Sequence, residues 1–350
     1  MRHYKNQSRT TSSVLWKLLK PLAAALTIAT LISACSDELR QNRPYVLTTA
    51  TVGGAFYPIG VAVATISKSQ LQDEHNISLA AISSAGSLEN VKLLRDNEAQ
   101  FGIIQGVFAA WAWSGEGPIR NPQKGMRSVG AMWFNVEHFI LRSDLVETGT
   151  LSDLSDIGGE RFVLGARNSG AEKTGRYILE LLGIDYEASM NFAYMGYESA
   201  SKALQDGNVV GANIPAGAPA SAITQAMAQM GDDVTLLTFS QEELNKLNSR
   251  YPLWDWYEFA PNTYPNQEEA IMSIASPNVL VVRDDVPEEH VYQITKMIWE
   301  NLGTLHDIHG ATKDMKLEAA LKGLAAPLHP GALRYYREVG LDIPPHLLLE

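Results

Sequence analysis

Glycine-rich turns that follow apolar strands are the residues in this sequence best suited to chemistry. The first lies in Thr48–Gly60, where a short apolar strand, Tyr45–Ala50, leads through Gly53 and Gly54 to Pro58. Proline favours the first turn of a helix, and paired glycines let backbone N–H groups approach a ligand closely. Unpaired amides and the positive end of a helix dipole then meet at one spot, which favours an anion. An ordinary strand–helix turn is the alternative interpretation.

Two further strand ends carry polar groups of the same kind. After the predicted strand Ile77–Ser83, Ser87 is a good helix N-cap and Asn90 lies near the first turn, so both polar groups gather at a helix N-terminus. Capping alone would also explain these two residues. Gln105 ends the apolar strand Phe101–Gln105 and adds a side-chain amide to the same region.

A later loop, Ala166–Arg176, follows the predicted strand Arg161–Gly165. Two glycines here have P-loop spacing, but Lys173-Thr174 comes two residues too late for a Walker motif, which argues against nucleotide binding. The hydroxyl and amides suited to a carboxylate at this helix N-terminus belong to Ser169, Gly170, Ala171 and Glu172. Further along, Asn213 lies near the end of the predicted strand Val209–Ile214, and Ala216 comes shortly after it.

The elements that must position these loops alternate between strand and helix. Helices are predicted from Pro58 to about Gln70, over Leu88–Arg95 and over Val107–Trp113. This alternation predicts an α/β protein with a mostly parallel sheet and helices on both faces. Ligands bind at the carboxyl ends of strands in such sheets, which is where these loops lie. The further predicted strands are Ser128–Trp133, His138–Arg142, Val234–Thr238, Ile271–Ala275 and Asn278–Val282.

The composition is that of a soluble globular protein, with 45% hydrophobic and 19% charged residues. A length of 350 residues suggests about two domains. Five of the 28 basic residues and no acidic residue lie in Met1–Ala34, so 23 basic and 39 acidic residues remain beyond it, a net charge of −16. This acidity argues against a nucleic-acid partner. It does not argue against an anionic ligand, because a local site can oppose the overall charge.

The N-terminal segment has the pattern of a signal peptide. A basic start precedes the apolar run Pro21–Ile32, which is too short to span a bilayer. Ile32-Ser33-Ala34-Cys35 resembles a bacterial lipobox and predicts lipidation of Cys35; a plain signal peptide with a chance cysteine is the alternative. Because Cys35 is the only cysteine, no internal disulfide can form. A multiply acylated cysteine would anchor the chain to a membrane, with the polar residues up to 43 as a tether.

Motifs of enzymes and metal sites are not found. The sequence has no G-x-S-x-G, H-E-x-x-H or G-x-G-x-x-G, so no catalytic residue and no cofactor are predicted. His306 and His309 could place two imidazoles on one helical turn, but no third ligand lies nearby, and no metal site is predicted. His138, a lone histidine in a strand pattern, is interpreted as structural.

The loops resemble the ligand loops of the TAXI group of TRAP-transporter solute receptors. The first resembles that family's G-G-T-Y-Y-P-x-G, with Ala55 and Phe56 in place of Thr and Tyr. The segment Gly86–Asn90 matches the core of its T-G-G-S-x-x-N. The segment Asn168–Ala171 matches G-S-G-T with Asn for Gly and Ala for Thr. The tail Ala326–Tyr336 is similar to the terminal P-x-H-P-G-A-x-x-Y-Y and extends the resemblance over nearly the whole mature chain.

The resemblance implies a type II periplasmic-binding-protein fold, α/β in class, with two doubly wound lobes that a hinge joins. Closure of the lobes would bend the chain near His138–Arg142 and Ile271–Val279. The implied organisation is a lipoprotein signal peptide (1–34), a tether (35–43), the first part of lobe 1 (44–139), lobe 2 (140–274) and a return to lobe 1 (275–350).

The resemblance also implies a function. The chain would be a periplasmic receptor, anchored through Cys35, that captures a dicarboxylate or a glutamate-like amino acid and delivers it to ion-gradient-driven TRAP membrane subunits. Arg167 and Lys173 are interpreted as charges that replace lost hydroxyl contacts, and they favour a dicarboxylate. The ligand-binding residues expected on this basis are Gly53, Gly54, Ala55, Phe56, Tyr57, Ser87, Asn90, Gln105, Arg167, Asn168, Ser169, Gly170, Ala171, Lys173, Asn213 and Ala216.

Two other functions are compatible with the same fold. One is an envelope sensor or signalling receptor that binds a ligand without transport. The other is an enzyme on the two-lobed scaffold, which a buried acid–base pair with shifted pKa values in the cleft would support. The sequence offers no candidate for such a pair.

Overall fold

The computed structural model describes Met1 and residues 43–52, 54–250 and 252–349. Contacts divide the chain into two units, Met1–Pro44 and Tyr45–Glu350, and the second unit contains the elements that follow. The predicted leader and tether from residue 2 to residue 42, with Cys35, lie outside the described residues, as does Gly53. Within the described part of the chain, no helix is both long and apolar enough to cross a membrane.

Strands and helices alternate along the chain, as the sequence predicts. The strands are β1 (Tyr45–Thr48), β2 (Leu79–Ile82), β3 (Phe101–Gln105), β4 (Met126–Val136), β5 (Phe139–Arg142), β6 (Glu160–Val163), β7 (Met190–Ala193), β8 (Gly211–Asn213), β9 (Val234–Leu236), β10 (Asp255–Phe259) and β11 (Ile271–Arg283). The helices are α1 (Phe56–His75), α2 (Ser87–Arg95), α3 (Gly106–Ser114), α4 (Gly170–Leu182), α5 (Tyr186–Ser189), α6 (Tyr197–Gln205), α7 (Ser221–Met230), α8 (Gln241–Leu247), α9 (Glu288–Glu300), α10 (Leu302–Ile308) and α11 (Pro330–Glu338).

The strands form two sheets with one shared order. The first runs β2–β1–β3–β11–β4, and β10 pairs with the other end of β11; the second runs β7–β6–β8–β5–β9. In each sheet the first three strands are parallel, and the fourth is antiparallel to its neighbours. The predicted α/β architecture of two doubly wound lobes is confirmed.

A two-stranded ribbon connects the sheets. β4 and β11 pair antiparallel from Met126 opposite Arg283 to Val136 opposite Ala275. The sequence predicts two separate strands in the region of β11, but the structure has one strand that passes through Pro277. The proline is tolerated because the register with β4 shifts between Pro277 and Val279, as in a bulge, and because the other neighbour changes there from β10 to β3.

The return to the first sheet begins at Asp255, earlier than the expected boundary at 275. β10 pairs with the first five residues of β11, which holds it on the connecting ribbon. Phe259 and Tyr264 nevertheless pack among buried residues of the second lobe, such as Ile140 and Ala222. This segment therefore belongs to the hinge region by hydrogen bonding and to the second lobe by packing. The expected lobe boundaries stay a prediction.

The C-terminal signature secures its helix, α11, against the first sheet. The hydroxyl of Tyr336 accepts a hydrogen bond from the indole of Trp299 and donates one to the carbonyl of Val129, both at 2.9 Å. His329 precedes the helix, and its Nδ1 accepts a hydrogen bond from the backbone N–H of Gly331. These contacts give the signature the structural role that the sequence predicts.

Candidate binding site

A cavity lies where the strand ends of the two sheets face each other. The loops that follow β1, β2 and β3 line it from the first lobe, and the loops that follow β6, β7 and β8 line it from the second. Its volume, taken as the space open to the centre of a water-sized sphere, is about 40 Å³. Sheets of this topology bind ligands in the crevice at the carboxyl ends of their strands.

Nine of the sixteen ligand-binding residues expected from the sequence line this cavity. They come from both lobes and from five of the strand ends that the sequence singles out. These nine residues are Gly54, Ala55, Phe56, Ser87, Gln105, Ser169, Gly170, Ala171 and Ala216.

Among the helix N-termini that border the cavity are those of α1, α2 and α4. α1 begins after Ala55, α2 after Gly86 and α4 after Ser169, and all three of these residues line the cavity. The first amides of a helix have no partner within the helix, and its N-terminal end carries a partial positive charge. No residue described in the lining has a charged side chain. The arrangement therefore favours an anion through backbone amides rather than through cationic side chains.

The hydroxyl of Ser87 has a different role from the one that the sequence suggests. The N-cap of α2 is Gly86, with φ of 101°, and Ser87 is the first helical residue. The Ser87 hydroxyl oxygen accepts a hydrogen bond of 3.0 Å from the backbone N–H of Gln105. Ser87 therefore connects the second and third loops while it lines the cavity.

Asn90 does not line the cavity; it holds the strand ends together. Its buried side-chain amide donates to the carbonyls of Thr49, at 2.6 Å, and Ile103, at 2.8 Å. Its amide oxygen accepts a hydrogen bond of 2.6 Å from the hydroxyl of Ser84. Both ends of the side chain are used inside the protein, so one residue connects the segments that follow β1 and β2 to strand β3.

The two cationic residues expected at the ligand do not line the cavity either. The guanidinium of Arg167 stacks 4.0 Å from the centre of the Tyr194 ring, and Arg167 lines a separate groove together with Asn168. The ammonium of Lys173 lies 2.9 Å from the carboxylate of Glu172. The sequence pattern could not show these partners, because they come from the fold of the second lobe.

Glu172 itself is a buried carboxylate with several donors. It accepts hydrogen bonds from Arg176, at 2.6 Å, and from the backbone N–H of Asn168, at 3.2 Å. Burial raises the pKa of Glu172, but its hydrogen bonds to Lys173 and Arg176 outweigh burial and hold the pKa below its usual range. Of the two charges that the sequence assigns to a ligand, that of Lys173 is thus paired with this acid instead.

We predict that Arg167→Gln leaves ligand affinity within about threefold of the unmodified protein, because the guanidinium stacks outside the cavity. Ser87→Ala is the contrasting variant. It removes a hydroxyl that lines the cavity, and the loss of one hydrogen bond should weaken binding roughly 2- to 12-fold. Isothermal titration with a carboxylate ligand measures both. A loss larger for Arg167→Gln than for Ser87→Ala would contradict this placement.

Tyr57 and Asn213 complete the expected residues that do not line the cavity. Tyr57 is half-buried in the first turn of α1. Asn213 is buried at the end of β8, and its amide donates to a carboxylate oxygen of Glu137 at 2.8 Å.

Tyr197 and Asn135 are polar residues of the lining that sequence reasoning missed. Tyr197 begins α6, and its ring faces Gly54 of the other lobe so closely that a Cβ there would lie 3.2 Å from it. Its position after β7 is the signal that could have identified it. Asn135 is 1% exposed on β4, and neither atom of its amide has a hydrogen-bond partner within the described residues. It carries no sequence signal, since the predicted strand ends at Trp133.

The two lobes touch around the cavity. The hydroxyl of Thr174 donates a 2.7 Å hydrogen bond to the side chain of Gln105. The ring of Trp111 packs edge-on against that of Tyr177, with centroids 5.1 Å apart. A Cβ on Gly170 would lie 3.0 Å from the hydroxyl oxygen of Ser87. The described structure therefore has the lobes closed on each other.

Two buried ionisable residues, Glu137 and His138, lie between β4 and β5. Burial raises the pKa of Glu137 to about 7 against a lowering hydrogen bond from Asn213, and it lowers the pKa of His138 to about 4. The His138 Nδ1 faces the carbonyls of Val136 and Ile214, and its Nε2 accepts from the hydroxyl of Tyr264 at 2.6 Å. Neither side chain lines the cavity. Because Glu137 and His138 have different partners and lie outside the cavity, they do not form an acid–base pair in the cleft.

The described part of the chain contains no cluster of metal ligands. No group of three or more His, Cys, Asp or Glu side chains there could hold an ion. His309 uses its Nδ1 to accept a hydrogen bond from the backbone N–H of Ala311.

The chain belongs to the NMT1-like family, whose model matches residues 47–340. Solved structures similar to it include the periplasmic aliphatic sulphonate binding protein of Escherichia coli, at 13% identity, covering 87% of this chain and 84% of that one, with a TM-score of 0.43. They also include a periplasmic substrate-binding protein of an ABC transporter from Coxiella burnetii, at 14% identity, covering 77% and 98%, with a TM-score of 0.39. A protein from Actinomyces odontolyticus that is described as a candidate lipoprotein has 11% identity, coverage of 77% and 96%, and a TM-score of 0.42. Similarity at these identities and TM-scores does not indicate that this chain shares a ligand with those proteins.

Proposed function

We propose that this member of the NMT1-like family is an extracytoplasmic solute-binding receptor that captures a small organic anion between its lobes. The observation that carries the proposal is the convergence of three helix N-termini, those of α1, α2 and α4, on one cavity between two sheets. These ends belong to both lobes, so a bound anion would join the lobes. The lining described for this cavity consists of backbone, hydroxyl, amide and apolar groups.

The ligand we propose is a dicarboxylate or a glutamate-like amino acid. One carboxylate would accept hydrogen bonds from the helix N-termini. Gln105, Asn135 and Tyr197 line the same cavity and offer amide and hydroxyl groups to a second polar group of the ligand. The stacking of Arg167 and the pairing of Lys173 remove the earlier reason to prefer a dicarboxylate, so both ligand classes enter the test.

We further propose that the receptor is of the TAXI group and delivers its ligand to TRAP membrane subunits. The motif residues that resemble this group are among those that line the cavity, in the loops after β1, β2 and β6. Lipidation of Cys35 would hold the receptor at the periplasmic face of a membrane. Catalysis is not part of the proposal, because loops of amides and hydroxyls bind ligands without themselves moving protons.

The test is thermal melting of the full chain, purified in a mild detergent, against a panel of amino acids, dicarboxylates and oxoacids. A ligand at a hundred times its dissociation constant stabilises the folded state by about 2.7 kcal/mol, which raises the melting temperature. We expect such a rise with at least one dicarboxylate or glutamate-like compound. Protein shown to be free of co-purified ligand that gives no shift across the panel would contradict the organic-anion assignment.

A further inference from the structure

Glu137 is a fully buried carboxyl group that the binding site as described does not use. It directly follows β4 and comes two residues after Asn135. One carboxylate oxygen accepts the hydrogen bond from Asn213, and the other has no hydrogen-bond partner among the described residues. Such a group is expensive to keep charged in the interior.

The carboxyl group lies directly behind the wall of the cavity. The preceding residue, Val136, exchanges both backbone hydrogen bonds with Ala216, at 2.9 and 3.0 Å, and Ala216 lines the cavity. Tyr197 also lines the cavity. The pKa of its phenol is raised first by burial and then by the negative charge of Glu137. A charge in the cavity and a charge on Glu137 therefore share one poorly solvated region.

The backbone of Glu137 is held by the connecting ribbon. Its N–H donates to the carbonyl of Ile274 at 3.0 Å, and its carbonyl accepts a 2.6 Å hydrogen bond from the hydroxyl of Ser273. With its backbone fixed and its side chain fully buried, Glu137 does not reach solvent in this structure. Its response to a nearby charge is to change protonation instead.

We propose that Glu137 is a proton site coupled to the ligand cavity, so that capture of an anion takes up a proton from solvent at this carboxyl; the proposal rests on the anion-receptor function proposed above. An anion in the cavity makes a second negative charge on Glu137 unfavourable, because like charges repel strongly where water is excluded. Binding of a proton removes that repulsion. By linkage, the proton and the anion strengthen each other's binding.

Other groups that face Glu137 do not titrate in the same range. His138, the next residue, stays neutral above its lowered pKa of about 4, and the raised pKa of Tyr197 on α6 keeps its phenol neutral. Tyr264, which bonds to His138, has a pKa raised by burial and is neutral as well. Asn213 on β8 and Ser273 on β11 do not ionise. Within the described residues, the groups packed around Glu137 therefore leave it as the one that titrates near neutral pH.

The direction of the effect follows from the pKa of Glu137. Without ligand that pKa is about 7, so below pH 7 the group already carries its proton and affinity does not depend on pH. Above pH 7 the free protein loses the proton, the complex retains it, and affinity falls as pH rises. Two like charges roughly 8–16 Å apart, at an effective dielectric constant of about 20, correspond to an overall weakening of about 5- to 30-fold.

The experiment is isothermal titration of the full chain in detergent with 2-oxoglutarate and L-glutamate, at pH 6 to 9, in buffers of different ionisation enthalpy. The variants are Glu137→Gln and, as the matched control, Glu98→Gln, which changes an exposed glutamate. We expect uptake of up to one proton at pH 8 and a Kd about 5- to 30-fold higher at pH 9 than at pH 6. In Glu137→Gln this ratio should fall to about one, and in Glu98→Gln it should persist.

The outcomes separate this inference from the proposed function. Binding without proton uptake, or with proton release, overturns the coupling and leaves the receptor function standing; release with L-glutamate would mean that its ammonium group pairs with Glu137. A pH ratio that survives in Glu137→Gln also overturns it. No binding of either compound at any pH overturns the coupling together with the organic-anion function. The proton count on the unmodified protein requires no variant to fold.

Discussion

Replacing Asn90 by alanine is expected to lower the free energy of unfolding by about 2–5 kcal/mol, the largest effect on stability that we predict for a residue near the site. The side chain donates to the carbonyls of Thr49 and Ile103 and accepts from Ser84, all inside the protein. Its loss removes three hydrogen bonds in a site that is closed to water. A buried group left without its partner costs about 1–3 kcal/mol.

Urea-induced unfolding measures this change directly. Asn208→Ala is the matched control, because Asn208 is exposed in a turn after α6 and should change the free energy of unfolding by less than about 0.5 kcal/mol. We also expect weaker ligand binding in Asn90→Ala, since the segments that follow β1 and β2 lose their common connection to β3. Equal stability of the two variants would show that Asn90 does not hold the strand ends.

Replacing Gly170 by valine is expected to weaken ligand affinity by about 5- to 150-fold. Gly170 is the first residue of α4, and a Cβ there would lie 3.0–3.2 Å from three atoms of Ser87 in the other lobe. Overpacking of this kind costs about 1–3 kcal/mol, which corresponds to the stated range of affinity. Because the clash is between lobes and not within one, the lobes should separate while each retains its fold.

Titration with a ligand found in the melting panel gives the affinity, and small-angle X-ray scattering gives the radius of gyration with and without ligand. We expect a larger radius in Gly170→Val than in the unmodified protein. Gly303→Val is the control, because a Cβ at Gly303 meets no heavy atom within 4 Å. If Gly170→Val keeps both the affinity and the compact radius, the contact between Gly170 and Ser87 does not decide closure.

Both predictions depend on contacts between residues far apart in the chain, which local patterns do not reveal. Asn90 and Asn135 illustrate the limit. Asn90 follows a Gly-Ser turn and was expected at the ligand, yet its amide is used by two carbonyls. Asn135 lies within a long strand without any local signal, yet it lines the cavity with both amide atoms unpartnered among the described residues. The two residues differ because the side chain of Asn90 bonds to neighbouring strands, whereas that of Asn135 lines the cavity.

The sequence by itself determined the α/β class, the alternation of strands and helices, and the loops that form the cavity. It did so because apolar periodicity, glycine and proline act over a few residues, where backbone geometry decides the outcome. Only the tertiary structure decided which polar groups face the cavity and which are consumed within the protein. Lys173 pairs with a buried acid, and Glu137 meets an amide 76 residues away. Such partners depend on how the sheets pack, because burial and long-range pairing set the direction and charge of each side chain.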